Sequence, residues 1–146
     1  MEKRIVPNEI LLAEAGALLA EGRDVELLVK GNSMLPFLRD ERDSVRLRKL
    51  ESVEKGDIVL ALIAPGRYVL HRVRAVEGER LTLMGDGNIR GTESCTRADV
   101  LGTAVEFIRP GGTRRKPGKG RCWAFLRPIR RYLLFIYRRL FLKRSK

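Results

Sequence analysis

Apolar residues first recur at helical spacing. Ile10, Leu11, Leu18 and Leu19 supply one face between residues 8 and 21, Asn8 stands where a cap is needed, and Glu9 falls in the first turn. A short helix ending at Gly22 is predicted. From Val25 the pattern turns to strands. Residues 25–30 form an apolar run, 44–48 alternate as Ser-Val-Arg-Leu-Arg, and 58–63 are continuously apolar up to the turn Ala64-Pro65-Gly66-Arg67. Residues 68–76 read as the return strand of that hairpin. Residues 81–84 follow a second turn at Glu77-Gly78-Glu79-Arg80, and 100–108 form a last strand. Short strands joined by Gly-rich turns predict a mainly β body, a partly closed or barrel-like sheet with a short helix before it.

The pattern then breaks. Residues 110–120 are, apart from Thr113, Gly, Pro and basic residues, which disfavour regular structure. From Trp123 a helical period returns, with Leu126, Ile129, Leu133, Ile136, Tyr137 and Leu140 on one face and Arg127, Arg131 and Arg138 opposite. The chain thus divides into an N-terminal helical segment (1–24), a β domain (25–108), a basic linker (109–122) and a basic amphipathic C-terminal helix (123–146).

Charge sharpens this division. The 146 residues carry a net charge of +12, yet no acid follows Glu106, and residues 109–146 hold fourteen Lys or Arg. Residues 1–108 hold sixteen bases and eighteen acids, a nearly neutral body, which excludes a uniformly basic nucleic-acid wrapper. The two cysteines, Cys95 and Cys122, make no disulfide framework, and no Cys/His spacing suggests a metal. No metal or other cofactor is expected, and a reducing compartment is. Residues 1–7 contain no apolar signal core, and the longest apolar stretch of the tail, residues 132–137, is far too short to span a bilayer.

Three segments offer chemistry. In Gly31-Asn32-Ser33-Met34-Leu35-Pro36, a serine sits on a restricted turn just after a strand. Such a hydroxyl is presented at the end of a sheet beside backbone N–H groups able to bind an oxyanion, although a plain turn serine reads the same way. His71, the only histidine, lies in the apolar strand of residues 68–76. It reads equally as a packed core residue or as the base a serine nucleophile needs. Met84-Gly85-Asp86-Gly87-Asn88 is a turn by composition, and its Asp86 is a candidate to orient the imidazole.

In this order the segments resemble the S24/S26 clan of serine peptidases, which includes signal peptidase I and the LexA-type self-cleaving repressors. Residues 31–36 match the Gly-x-Ser-Met-x-Pro box, and Gly56-Asp57-Ile58-Val59 resembles the Gly-Asp strand box. His71-Arg72-Val73 matches the His-Arg-Val of signal peptidases in which His replaces the usual Lys base, and residues 85–88 resemble the Gly-Asp-x-Asn box. The resemblance covers roughly residues 25–108. It implies Ser33 as nucleophile, His71 as general base, Asp86 as orienting acid, and Asn32, Ser33 and Met34 at the oxyanion and substrate site, the Ser33 N–H being the oxyanion donor. It also implies an extended peptide or protein substrate along a strand edge. His-type relatives carry a further acid beyond the Gly-Asp pair, for which Glu93 is the nearest candidate at imperfect spacing. The chain departs from the clan in lacking a Lys at the matched base position, and neither an N-terminal membrane anchor nor a helix-turn-helix domain is expected from its residues.

The expected function is a serine endopeptidase removing a leader or pro-segment. Alternatives are a self-processing regulator, with small residues at Ala13-Glu14-Ala15-Gly16, and a non-enzymatic adaptor on a retired scaffold. The tail residues Trp123, Arg127, Arg130, Arg131, Tyr132, Phe135, Arg138 and Arg139 suit an anionic membrane surface, reached from the cytoplasmic face. Packing on the body is the plainer alternative. Nucleic acid is disfavoured because no reader motif accompanies the charge.

Overall fold

A computed structural model describes residues 8–31, 33–88, 91–120, 130–137 and 139–140, with the backbone alone for 8–11 and 130–131. Its elements are α1 (Asn8–Ala20), β1 (Val25–Leu28), β2 (Ser44–Arg48), β3 (Ile58–Ala64), β4 (Arg67–Glu77), β5 (Arg80–Met84), β6 (Glu93–Thr96), β7 (Val100–Ile108), β8 (Arg114–Arg115) and α2 (Arg130–Tyr137). The eight strands form one antiparallel sheet in the order β1-β2-β7-β3-β4-β5-β6, with β8 paired to β7. The sheet is not closed: β1 and β6 stand at its two ends and do not pair with each other. It nonetheless coils enough to bring β6 back against β3.

Alternation along the strands splits the interior into two clusters. One face of the sheet, with Leu27, Val45, Leu47, Ile58, Leu60 and Phe107, packs under α1 through Ala15 and Leu19. The other face, with Val59, Ala61, Val73, Leu81, Leu83 and Cys95, fills the inside of the coil. Helix α1 approaches β7 closely because glycine stands on both sides. A Cβ on Gly102 would lie 2.9 Å from Leu19, and one on Gly16 would lie 3.2 Å from Leu101. The predicted stop at Gly22 is a Schellman turn: Gly22, at φ +86°, donates to the Leu19 carbonyl and Arg23 to that of Leu18.

Two strands escaped the pattern reading. β6 is the four residues Glu-Ser-Cys-Thr, without a hydrophobic alternation to announce it, and β8 is two arginines inside the stretch expected to be linker. In the tail, the apolar face differs from expectation. Leu134 is the buried residue, with Leu133 and Tyr137 half-buried beside it, while Ile136 and Leu140 face outward. The predicted helix contributions of Trp123, Leu126, Arg127, Ile129 and Arg138 lie outside the described residues.

The buried carboxylate of Asp43 ties the end of the loop at residues 31–40 to the last long strand. It accepts from the Arg39 amide (2.8 Å), from Arg42 Nε and Nη2 (2.8 Å each) and from Arg109 Nη1 (2.6 Å). Burial opposes its charge, but the hydrogen bonds from Arg42 and Arg39 and the nearby Arg109 charge outweigh burial. They hold the carboxyl below its ordinary value of 3.8. A depressed folded-state value means that the contribution is complete above the unfolded value and is lost as pH falls through the folded one. Asp43→Asn is therefore expected to cost about 3 kcal/mol at pH 7. In urea denaturation the deficit against wild type should shrink below about pH 4; a deficit independent of pH would contradict this role.

Candidate active site

The serine loop is built from its base upward. Beyond β1, the Val29 N–H donates to the Asp43 carbonyl and the Glu41 N–H to that of Val29, both at 2.8 Å, so the backbone ladder clamps the loop shut. Gly31, at φ +83°, turns the chain out of the strand and donates to Asp40 Oδ1 at 2.7 Å. Beyond Ser33 the chain dives into the core. Met34, Leu35 and Leu38 are fully buried, and the Met34 carbonyl accepts from the Phe37 and Leu38 amides. Asn32, predicted to contact substrate, lies outside the described residues. Met34, predicted beside it, is a core residue by its side chain.

The turn of residues 85–88 holds the serine from the other side. The Gly87 N–H donates to the Ser33 carbonyl at 2.7 Å, and the Asp86 N–H points to Met34 Sδ at 3.4 Å. A Cβ on Gly85 would lie 2.3 Å from the Ser33 carbonyl oxygen and 3.0 Å from the Ser33 Cβ, so only glycine permits this approach. The two boxes that looked like separate turns in the sequence are one interlocked unit.

Strand β4 brings in the imidazole. Its registry pairs His71 with Val59 of β3, so His71 shares a face with Val73 and the coiled side of the sheet. His71 is buried, and its Nε2 lies 3.1 Å from Ser33 Oγ. Its Nδ1 lies 2.6 Å from Glu93 Oε1. Glu93 reaches it because β6 pairs with β5 and β5 with β4. Glu93 stands opposite Leu83, which stands opposite Val73, on the same face as the imidazole. An ionised carboxylate only accepts, so an uncharged imidazole facing Glu93 carries its proton on Nδ1 and offers its Nε2 lone pair to the Ser33 O–H.

Asp86, expected to orient the imidazole, is placed elsewhere. Both ring nitrogens are already engaged, and adjacent residues on a strand face opposite ways, so the neighbour that Asp86 meets is Arg72. Arg72 Nε lies 2.9 and 3.0 Å from the two Asp86 oxygens and Nη2 2.7 Å from Oδ2, a bidentate pair of which about 5% is exposed. Arg72 Nη1 donates to the carbonyls of Gly56 (2.8 Å) and Gly118 (2.7 Å), and the guanidinium lies over the Phe37 ring at 5.3 Å. The sequence reading gave Arg72 no role of its own. Its signal was the fixed His-Arg order on one strand, which sends one residue to each face. Glu93, the candidate for a further acid at imperfect spacing, is the one that meets the imidazole, and what the spacing did not show was β6, the strand that carries it there.

A cavity of about 210 Å3 opens beside Ser33 and His71. Leu12 of α1, Leu27 and Val29, Met34, and Leu60 and Leu70 make most of its wall apolar. Two strand edges border it. β1 ends the sheet. The N-terminal half of β4 pairs with β3 alone, since its pairing with β5 begins at Arg72. The one described thiol, Cys95, sits inside the coiled core, and burial pushes it up to about 11, so it is no competing nucleophile. Among the described residues there is no cluster able to hold a metal. No known protein family and no curated protein matches the chain.

The geometry separates the two acids by a stability experiment. Asp86→Asn leaves a buried guanidinium without its counter-charge and should lower unfolding free energy by about 3–5 kcal/mol. Glu93→Gln, at a half-buried position, should cost about 1 kcal/mol. Urea denaturation of both variants checks this; equal losses or the reverse order would contradict the assignment.

Proposed function

We propose that the chain is a serine endopeptidase of the S24/S26 type in which Ser33 is the nucleophile, His71 the general base and Glu93 the acid that orients it. The observation that carries this reading is the line of hydrogen bonds Ser33 Oγ–His71–Glu93, at 3.1 and 2.6 Å, opening on an apolar cavity. A serine hydroxyl is a poor nucleophile until a base takes its proton, and an imidazole is an effective base only when its tautomer and orientation are held. Here the Glu93 carboxylate holds both.

The mechanism follows from the groove. An extended peptide adds as a strand between the free edge of β1 and the open half of β4, and main-chain hydrogen bonds carry its affinity. A small aliphatic side chain before the scissile bond fits the cavity walled by Leu12, Leu27, Val29 and Leu70. Ser33 Oγ attacks the scissile carbonyl while His71 Nε2 takes its proton. The imidazolium, facing Glu93, returns that proton to the leaving amine. The acyl-enzyme is then hydrolysed by water activated by the same imidazole.

The position of α1 favours cleavage of a separate chain over self-processing. Ala13-Glu14-Ala15-Gly16 lies within the helix, with Ala15 buried, so it would have to unwind and leave the core to lie extended in the groove. The test compares protein N-termini in cells producing wild type or Ser33→Ala. Termini generated by the wild type, with small aliphatic residues before the cut, should be absent with Ser33→Ala and depleted roughly 10²- to 10⁴-fold in rate with Glu93→Gln. Identical termini in all three would overturn the reading.

A further inference from the structure

Helix α2 has two apolar sides, and only one of them is buried among the described residues. Leu134, 2% exposed, packs on the fully buried Leu35, with Phe37, Leu133 and Tyr137 around the contact. A rotation of about 100° per residue carries Tyr132, Phe135 and Ile136 to the opposite side of α2, and Leu140, three residues beyond its end, is exposed as well. Their exposures run from 51% to 62%. Five large hydrophobic residues are exposed among the described residues, and four of them are these; Leu50 is the fifth. Scattered apolar side chains on a surface need no explanation, but three on one helical face with a fourth just beyond its end do.

We infer that this outer face of α2 docks in the plane of an anionic lipid surface. The charge around it selects the occupant. No acid follows Glu106, residues 121–146 contain nine Lys or Arg, and the Arg139 guanidinium lies over the Phe135 ring at 5.9 Å, at the border of the apolar face. Aromatic and aliphatic side chains on one side of a helix rich in arginine match the headgroup boundary of an anionic bilayer, where both kinds of group find their preferred medium. A nucleic acid would use the arginines but offers nothing to Ile136 and Leu140. A second copy docking the same face symmetrically would press two acid-free segments together. The eight-residue α2 lies in the surface, and none of the described helices is long and apolar enough to cross a membrane.

The inner contact gives the docking a direction. Leu35 is two residues from Ser33 and belongs to the loop that presents it, so a surface under α2 holds that loop and its cavity next to the lipid. This consequence rests on the peptidase reading, whereas the docking itself does not.

The experiment is flotation of the purified full-length chain with vesicles of phosphatidylcholine alone or with one third phosphatidylglycerol. Wild type and Ser33→Ala should both float with the anionic vesicles and at least tenfold less with the zwitterionic ones. Phe135→Glu/Ile136→Glu, both at exposed positions, should lower anionic-vesicle affinity at least tenfold with an unchanged thermal transition. Tyr132→Ser/Leu140→Ser gives an independent reading if the first variant is misfolded. The inference is overturned if the wild type does not float. It is equally overturned if the apolar variants float as well as wild type, or if the face mediates self-association or duplex DNA binding that the same variants abolish. Because Ser33→Ala is expected to bind normally, failure of the peptidase reading leaves this result unchanged, and failure here leaves the Ser33 chemistry unchanged.

Discussion

The buried pair between Arg72 and Asp86 is the constraint around which the site is assembled. A guanidinium can be buried only if its donors are met, and here they are met by groups from three separate segments while a fourth lays a ring on its face. Asp86 belongs to the turn that clamps Ser33, Gly56 to the entrance of β3, Gly118 to the stretch after β8, and Phe37 to the serine loop. Because Arg72 follows His71 on β4, satisfying the guanidinium on one face fixes the imidazole on the other. The pair is therefore a positioning device. Its electrostatic demand gathers the loops, and the chemistry faces away from it.

That arrangement explains why the acid facing the imidazole comes from a distant strand. With Asp86 engaged by Arg72, His71 Nδ1 is met across two ladders by Glu93 at the start of β6. The same logic gives the glycines their place. Gly85 is required because the turn comes within contact of Ser33, and Gly31 because the chain must leave β1 at a positive φ. The serine loop is rigid from both ends, clamped at Val29–Asp43 and anchored by Leu35 and Leu38 in the interior. Leu35 also carries α2, so a helix far along the chain touches the loop two residues from its serine.

Much of this was legible in the pattern of residues. Six strands and α1 follow from period and turn chemistry, and Ser33 and His71 stand out as a restricted-turn serine and a lone imidazole in an apolar strand. What failed to show had local reasons. β6 carries no hydrophobic alternation, so the strand presenting Glu93 was invisible; Glu93 stood only as a further acid at imperfect spacing, and the orienting role went to Asp86 by resemblance. An acid can be ranked by spacing, but its partner is decided by which face of a strand it meets. The outward turn of Ile136 and Leu140 was likewise hidden. The tail is apolar on more than one side, and only the contact of Leu134 with Leu35 selects which side faces in.

The central claim is that one imidazole is held between Ser33 and Glu93 with its proton on Nδ1. His71 is the only histidine, so a single pair of side-chain nitrogen resonances reports on it without assignment by elimination. Long-range proton–nitrogen NMR of the wild type above the acid range should show a protonated Nδ1 and an unprotonated Nε2, and Glu93→Gln should disturb that state. A wild-type imidazole protonated on Nε2, or a mixture that Glu93→Gln leaves unchanged, would contradict the account.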